Sequence, residues 1–239
     1  EPMEGKFGLL PCGAGTFWCT ALDIAIALPI SLFMAIYLTE YARPAVRKYF
    51  YPLLDILAGL PSVIYGVWGT LLIVPWVSKV IAPMFTNYNS GYTVLAGGIV
   101  LSVMILPLLI SLFMEIFSNV PKDLREVSLS LGATTWQTTK FVVLRKAAPG
   151  IIASIVLALS RTLGETIAVL MVCGNLPIVP SNLLDACYPI PALIANNYGE
   201  MLSVPMYESA LMFAAFLLFF VIVILNLGSR IVLKKIKNK

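Results

Sequence analysis

Residues 150–175 read GIIASIVLALSRTLGETIAVLMVCGN. The apolar run from Pro149 to Cys173 is long enough to cross a bilayer, whose ~30 Å hydrocarbon core takes about 20 mostly apolar residues in a helix. Arg161 and Glu165 sit near its middle. Each such charge costs about 2.5–3.5 kcal/mol at a helix centre on insertion scales, so two in one span call for a reason. In a continuous helix they are four apart, share a face and can pair. Ser160, Gly164, Thr166 and Ala168 lie on or beside that face, and Ser160, Gly164 and Ala168 have the small-xxx-small spacing that admits a second helix closely. Two readings stay open. One is a structural ion pair that locks two helices. The other is the polar lining of an ion pathway, in which a guanidinium offers paired N–H donors to a tetrahedral oxyanion.

Working outward, four further apolar segments run over about 17–38, 53–84, 92–117 and 207–227. The chain has 239 residues, of which 59% are hydrophobic and only 12% charged, with a mean hydropathy of +0.92. Soluble domains carry about twice that share of charge, so lipid must solvate the excess. The segments do not alternate as barrel strands would, which leaves helices to satisfy the backbone in lipid. The expected fold is an all-α, polytopic bundle of five spans, forming one transmembrane domain over 1–239. The 53–84 segment, with Pro61 and Pro75 inside it, is too long for one upright span and should kink, tilt or lie partly at the surface.

The connections sort by charge. Arg43, Arg47 and Lys48, then Lys122, Arg125, Lys140, Arg145 and Lys146, then Arg230, Lys234, Lys235, Lys237 and Lys239 mark three connections. The stretches 85–91 and 174–206 have no lysine or arginine. Positive-inside then places the first three, with the C-terminus, in the cytoplasm, and residues 1–16 outside. The start is polar and turn-rich, not a signal peptide, and is read as a truncated natural N-terminus. Segment 174–206 is expected to be a structured cap with short helices, or else a plain loop. The net charge of +4 bears on orientation and gives no argument for nucleic acid. Cys12, Cys173 and Cys187 fall near the outer face, where a disulfide could persist; unpaired small residues are the equal alternative. No metal or cofactor is expected, since the chain has no histidine and no C-x-x-C spacing.

The connection 118–148 carries a pattern of its own. Pro121 suits a first helical position, and Asp123 and Glu126 favour a helix start. Leu124, Val127 and Leu131 form one apolar stripe, and Gly132 is placed to end the helix. Ala133 then leads into a second amphipathic stretch, TTWQTTKFVVL, with Trp136. The first helix either docks into a groove on a partner or lies on the lipid interface. In AGLPSVIYGVWG, residues 58–69, Gly59, Pro61 and Ser62 break a span at membrane depth. Such a break is tolerated inside protein or facing a watery cavity, where a freed helix N-terminus can offer N–H groups to an anion; a simple packing kink is the alternative.

Three strings carry a resemblance. EVSLSLGATTWQTTKFVVL is similar to the EAA motif of ABC-importer permeases, with Glu126 as its acidic residue and Gly132 as its glycine. It departs from the motif's usual Leu-Pro ending, having Leu144-Arg145 with the proline later, at Pro149. RTLGETIAVLMVCGN and AGLPSVIYG closely resemble segments of phosphate-specific transport permeases, nearer the PstC type than the PstA type. The resemblance runs from about Gly15 to the tail and implies a permease subunit in the cytoplasmic membrane of a bacterium or archaeon. It implies six spans in relatives, the first of them lacking here. It further implies a dimer of ATP-binding subunits docked at 118–148, a second permease of the PstA type, an extracytoplasmic phosphate-binding protein, and Arg161 and Glu165 as channel charges. The chain itself has no G-x-x-x-x-G-K-[ST] loop and no hydrolase motif, so ATP hydrolysis is expected in the partner. A sulfate or molybdate permease, a membrane scaffold or sensor, and a membrane-embedded enzyme are the competing functions.

Overall fold

The computed structural model describes residues 8–85, 90–198 and 207–237, with the side chains of 229–237 excepted. Most of the described residues are helical, with a single isolated β-bridge among them, between Gly174 and Cys187. Nine elements follow in chain order: α1 Leu10–Ile36, extended by a π-helical turn Tyr37–Tyr41; α2 Pro44–Ala58; α3 Ser62–Met84; α4 Val94–Ser118; α5 Lys122–Ser130; α6 Thr135–Leu163; α7 Ile167–Val172; α8 Ile190–Asn197; and α9 Tyr207–Lys237. Five are long and apolar enough to cross a membrane: α1, α3, α4, α6 and the first part of α9, Tyr207–Gly228.

The sequence boundaries need three corrections. The first helix starts at Leu10, seven residues before the expected position, because 10–16 are small or apolar and can join it. The overlong 53–84 segment resolves into the end of α2 and the whole of α3. Pro61, extended at ψ 140°, separates them, since a proline disfavours helix in the residue before it. The last helix continues through the basic tail to Lys237. Inside α3, π turns at Gly69–Ile73 and Val77–Ile81 flank Pro75. Shifted registers of this kind re-satisfy carbonyls that a proline leaves without a donor.

Two compact units interleave along the chain. The first comprises Glu1–Ile26, Leu60–Met104 and Leu159–Ile224. Its core joins Val100, Leu101 and Met104 of α4 to Val169 and Val172 of α7. Glycines make the close approaches. A Cβ on Gly66 would lie 2.7 Å from the Met171 sulfur and 3.3 Å from the Ala168 Cα. One on Gly69 would lie 2.5 Å from Val100 Cγ2. The Thr70 hydroxyl donates to the Gly66 carbonyl at 3.0 Å and to the Met171 carbonyl at 3.3 Å, tying α3 to α7.

The expected cap at 174–206 is structured over its described part. The first N–H groups of α4, orphaned at a helix start, are taken up there: Val94 donates to the Asp185 carbonyl and Leu95 to the Leu183 carbonyl, both at 2.9 Å. The Asp185 carboxylate accepts from the Ser181 N–H, the Ser181 hydroxyl and the Asn182 N–H, each at 2.8 Å. Partial burial pushes this carboxyl up, but the donors from Asn182 and Ser181 outweigh it and hold it below the usual carboxylate range. α8 is the cap's short helix; 199–206 lie outside the described residues.

The second unit comprises Ala27–Gly59, Ile105–Ala158 and Leu225–Lys239. Arg47 of α2 donates to Ser118 Oγ at 2.7 Å and to the Tyr51 hydroxyl at 3.1 Å. Gly150 of α6 meets α4 closely, since a Cβ there would lie 2.8 Å from Ile116 Cγ2. Phe113 and Phe117 are fully buried and stacked, with centroids 6.4 Å apart.

Candidate substrate pathway and coupling helix

Helix α6 ends at Leu163, and the chain turns through Gly164–Thr166 before α7 begins. Gly164 N–H donates to the Arg161 carbonyl at 3.2 Å and Glu165 N–H to the Thr162 carbonyl at 3.1 Å, a tightened last turn. This break undoes the expected i,i+4 geometry. Arg161 and Glu165 form no ion pair; the Glu165 carboxylate instead turns forward to the Ala168 N–H at 3.4 Å, at the start of α7. Arg161 is exposed, Glu165 and Thr166 are half-buried, and the Thr166 hydroxyl donates to the Gly164 carbonyl at 3.2 Å.

The small-residue stripe is likewise not one seam. A Cβ on Gly164 would meet only its own helix, at 3.7 Å, whereas Ala168 is fully buried against Gly66. The break splits the stripe between two helices, with Ser160 on α6 and Ala168 on α7.

Pro61 and Ser62 open α3 as expected, with the Ile64 N–H donating to the Pro61 carbonyl at 3.0 Å. Gly59 belongs to the second unit, where its N–H closes α2 on Asp55 at 3.1 Å. No hydrogen bond joins Pro61 or Ser62 to Arg161 or Glu165 among the described residues. One turn further along α3, buried Tyr65 lies within electrostatic range of Arg161. The first unit therefore brings the start of α3 and the α6–α7 break into one neighbourhood.

Sequence reasoning missed Asp23. It sits in the middle of α1, fully buried, with Thr162 as the polar group beside it. The approach is too poor for a well-formed hydrogen bond, and both carboxylate oxygens lack a partner. A lone acidic residue in an apolar span was the available signal, since such residues mark functional sites by default.

Helix α5 forms as read. Leu131 caps it, and Gly132 follows at φ +85°, a left-handed conformation that glycine adopts at no steric cost. The Gly132 N–H donates to the Leu129 carbonyl at 2.9 Å and the Ala133 N–H to the Ser128 carbonyl at 3.3 Å, the bond pair of a Schellman stop. Thr134 and Gln137 then form a reciprocal capping box that starts α6. The return stretch is no separate helix; it runs through a π turn at Thr139–Val143 into the span.

No residue of α5 is buried. Leu124 is 40% exposed, Val127 59% and Leu131 83%, so the apolar stripe is left uncovered by the described residues. Glu126 and Gly132 are exposed and Ala133 half-buried. A second residue missed from the sequence holds the helix in place. Arg125 donates to the Val120 carbonyl at 2.9 Å, to the Phe117 carbonyl at 2.6 Å and to Glu40 at 2.9 Å. It anchors α5 to the ends of α4 and α1.

The family described as "Binding-protein-dependent transport system inner membrane component" matches residues 27–238. The chain is 36% identical to the probable ABC transporter permease protein YqgH of Bacillus subtilis, over 95% of this chain and 74% of that protein. It is 34% identical to the phosphate transport system permease protein PstC of Xylella fastidiosa, over 100% of this chain and 78% of that protein. The probable PstC of Methanocaldococcus jannaschii is 33% identical over 95% of this chain and 75% of its own length. Among solved structures, an inward-facing MetNI methionine ABC transporter matches with a TM-score of 0.67 at 16% identity, covering 98% of both chains. A bacterial alginate ABC transporter matches at 0.68 and 14%, over 94% of this chain and 79% of that one. The structural likenesses establish the fold, and the sequence likeness establishes the kinship: this chain is a multi-pass inner-membrane protein and belongs to the binding-protein-dependent transport system inner membrane component family.

Proposed function

We propose that this chain is the membrane-spanning permease subunit of an ATP-driven importer of inorganic phosphate. The observation that carries the reading is the likeness, over the whole chain, to proteins named as phosphate transport permeases. The geometry of the first unit is compatible with it. Arg161 is exposed at a helix break, with no carboxylate paired to its guanidinium among the described residues. Its N–H fork suits the oxygens of a tetrahedral anion. Glu165 and Thr166 lie on the same break. Ser62 and Pro61 begin α3 in the same unit, so these five residues are the proposed pathway set; Gly59, which closes the helix before them, is proposed on its sequence position alone.

The exposed stripe Leu124, Val127 and Leu131, with Glu126, Gly132 and Ala133, is the proposed docking surface for one subunit of an ATPase dimer. An exposed helix with several large apolar side chains can lay that face into a groove on a partner. A second permease of the PstA type and an extracytoplasmic phosphate-binding protein would complete the assembly. The α5 side and the C-terminus would be cytoplasmic, as the lysine and arginine bias requires. Closure of the ATPase dimer would draw the docked helices together and rock the spans between outward and inward access.

Substrate choice is tested by uptake of labelled phosphate in cells whose only phosphate permease is this protein. Unlabelled phosphate should compete fully. Sulfate and molybdate in tenfold excess should leave the rate unchanged. Competition by sulfate or molybdate equal to that by phosphate would replace phosphate with the competing oxyanion.

A further inference from the structure

Three cysteines from distant parts of the chain converge in the first unit. Cys19 comes from α1, Cys173 caps α7, and Cys187 lies in the loop before α8. The Cys19 sulfur is 3.8 Å from that of Cys173 and 3.6 Å from that of Cys187, and all three lie within 4.8 Å of one another. The three are 1%, 0% and 0% exposed, and all are free thiols. The backbone fixes two of them, since the Cys187 N–H donates to the Cys173 carbonyl at 2.9 Å. Room for the sulfurs comes from Gly97 of α4, where a Cβ would lie 2.5 Å from Cys173 Sγ and 3.4 Å from Cys19 Sγ.

We propose that Cys19, Cys173 and Cys187 form a binding site for a thiophilic divalent d¹⁰ cation of the zinc and cadmium class. A zinc–sulfur bond of about 2.3 Å sets two sulfurs of a tetrahedral site about 3.8 Å apart, close to the spacing of the two pairs that involve Cys19. Three thiolates exclude magnesium and calcium, which take oxygen ligands. Charge selects among the soft ions. A dication with three thiolates leaves one net negative charge in a buried site, whereas a monocation leaves two, at greater desolvation cost. Binding exchanges three S–H protons for the metal: M²⁺ + 3 RSH gives [M(SR)₃]⁻ + 3 H⁺. No fourth cysteine, aspartate or glutamate joins the group within that distance among the described residues, so the remaining coordination position is open. The site would staple α1, the end of α7 and the loop after it.

The test titrates cadmium into the assembled transporter, purified in detergent under reducing conditions, with thiolate-to-metal charge transfer in the ultraviolet and metal content as readouts. Wild type should take up one cadmium per chain at this site and release protons as it does. Cys19→Ser, Cys173→Ser and Cys187→Ser should each weaken binding by more than the ~10–100-fold that outer-shell changes cost. Cys12→Ser, buried but outside the group, should leave it unchanged. Absence of a charge-transfer band in reduced wild type overturns the proposal whether or not the variants assemble. So does undiminished binding in Cys187→Ser, or isolation of the protein with Cys187 in a disulfide, seen as a mass loss of two hydrogens.

Discussion

Replacing Arg161 by glutamine is expected to lower phosphate uptake about 10- to 100-fold while leaving the transporter assembled. The magnitude follows from the lost interaction. Charge-assisted hydrogen bonds contribute roughly 1.5–3 kcal/mol each, and about 1.4 kcal/mol corresponds to a factor of ten. Stability should change little, because Arg161 is exposed in the chain and no ion pair is broken. Arg161→Lys should fall between the two, since an ammonium keeps the charge and loses the planar fork. Uptake rates at matched membrane levels, with the ATPase subunit co-purified as the assembly control, check both variants. Wild-type rates in Arg161→Gln would remove this residue from the pathway.

The second large effect is expected at Leu131. Changing it to aspartate should weaken capture of the ATPase subunit by about 30-fold or more, the scale of an interface hot spot of 2 kcal/mol. The same variant should unfold at the temperature of wild type when the permease is measured without its ATPase, because the side chain is 83% exposed and nothing in α5 is buried. The split between lost capture and unchanged stability separates docking from folding. A helix that merely lay on lipid would keep its ATPase. Affinity capture of the ATPase subunit and thermal unfolding in detergent measure the two halves.

The spans were legible in the sequence because bilayer thickness sets their length independently of tertiary contacts. The α5 stop was legible for a similar reason. A glycine needed at φ +85° is a local signal. The Arg161–Glu165 pairing was misread because periodicity assumes an unbroken helix, and one glycine within GET ends it. Arg125 was read only as a loop charge, and its anchoring role was not legible. It is held by two carbonyls, which any residue would supply, and by Glu40, eighty-five positions away. The thiol group was hidden by the same distance, its members being 154 and 168 positions apart. The sequence reading left Cys19 out because it lies inside a span. Asp23 was visible as a charge in an apolar run, yet its burial and lack of hydrogen bonds emerge only when α6 packs beside it.

On the proposed function, the break at Gly164 opens onto a watery path used by phosphate. The most direct measurement is the reactivity of a Gly164→Cys variant toward a membrane-impermeant thiol reagent, in transporter reconstituted with its partners. The site accepts a side chain, since an added Cβ meets nothing nearer than 3.7 Å. The native cysteines give little background, being at most 3% exposed. The new thiol should react, and phosphate should slow the reaction while sulfate does not. A thiol that reacts only with a lipid-soluble reagent, or at a rate indifferent to phosphate, would contradict it.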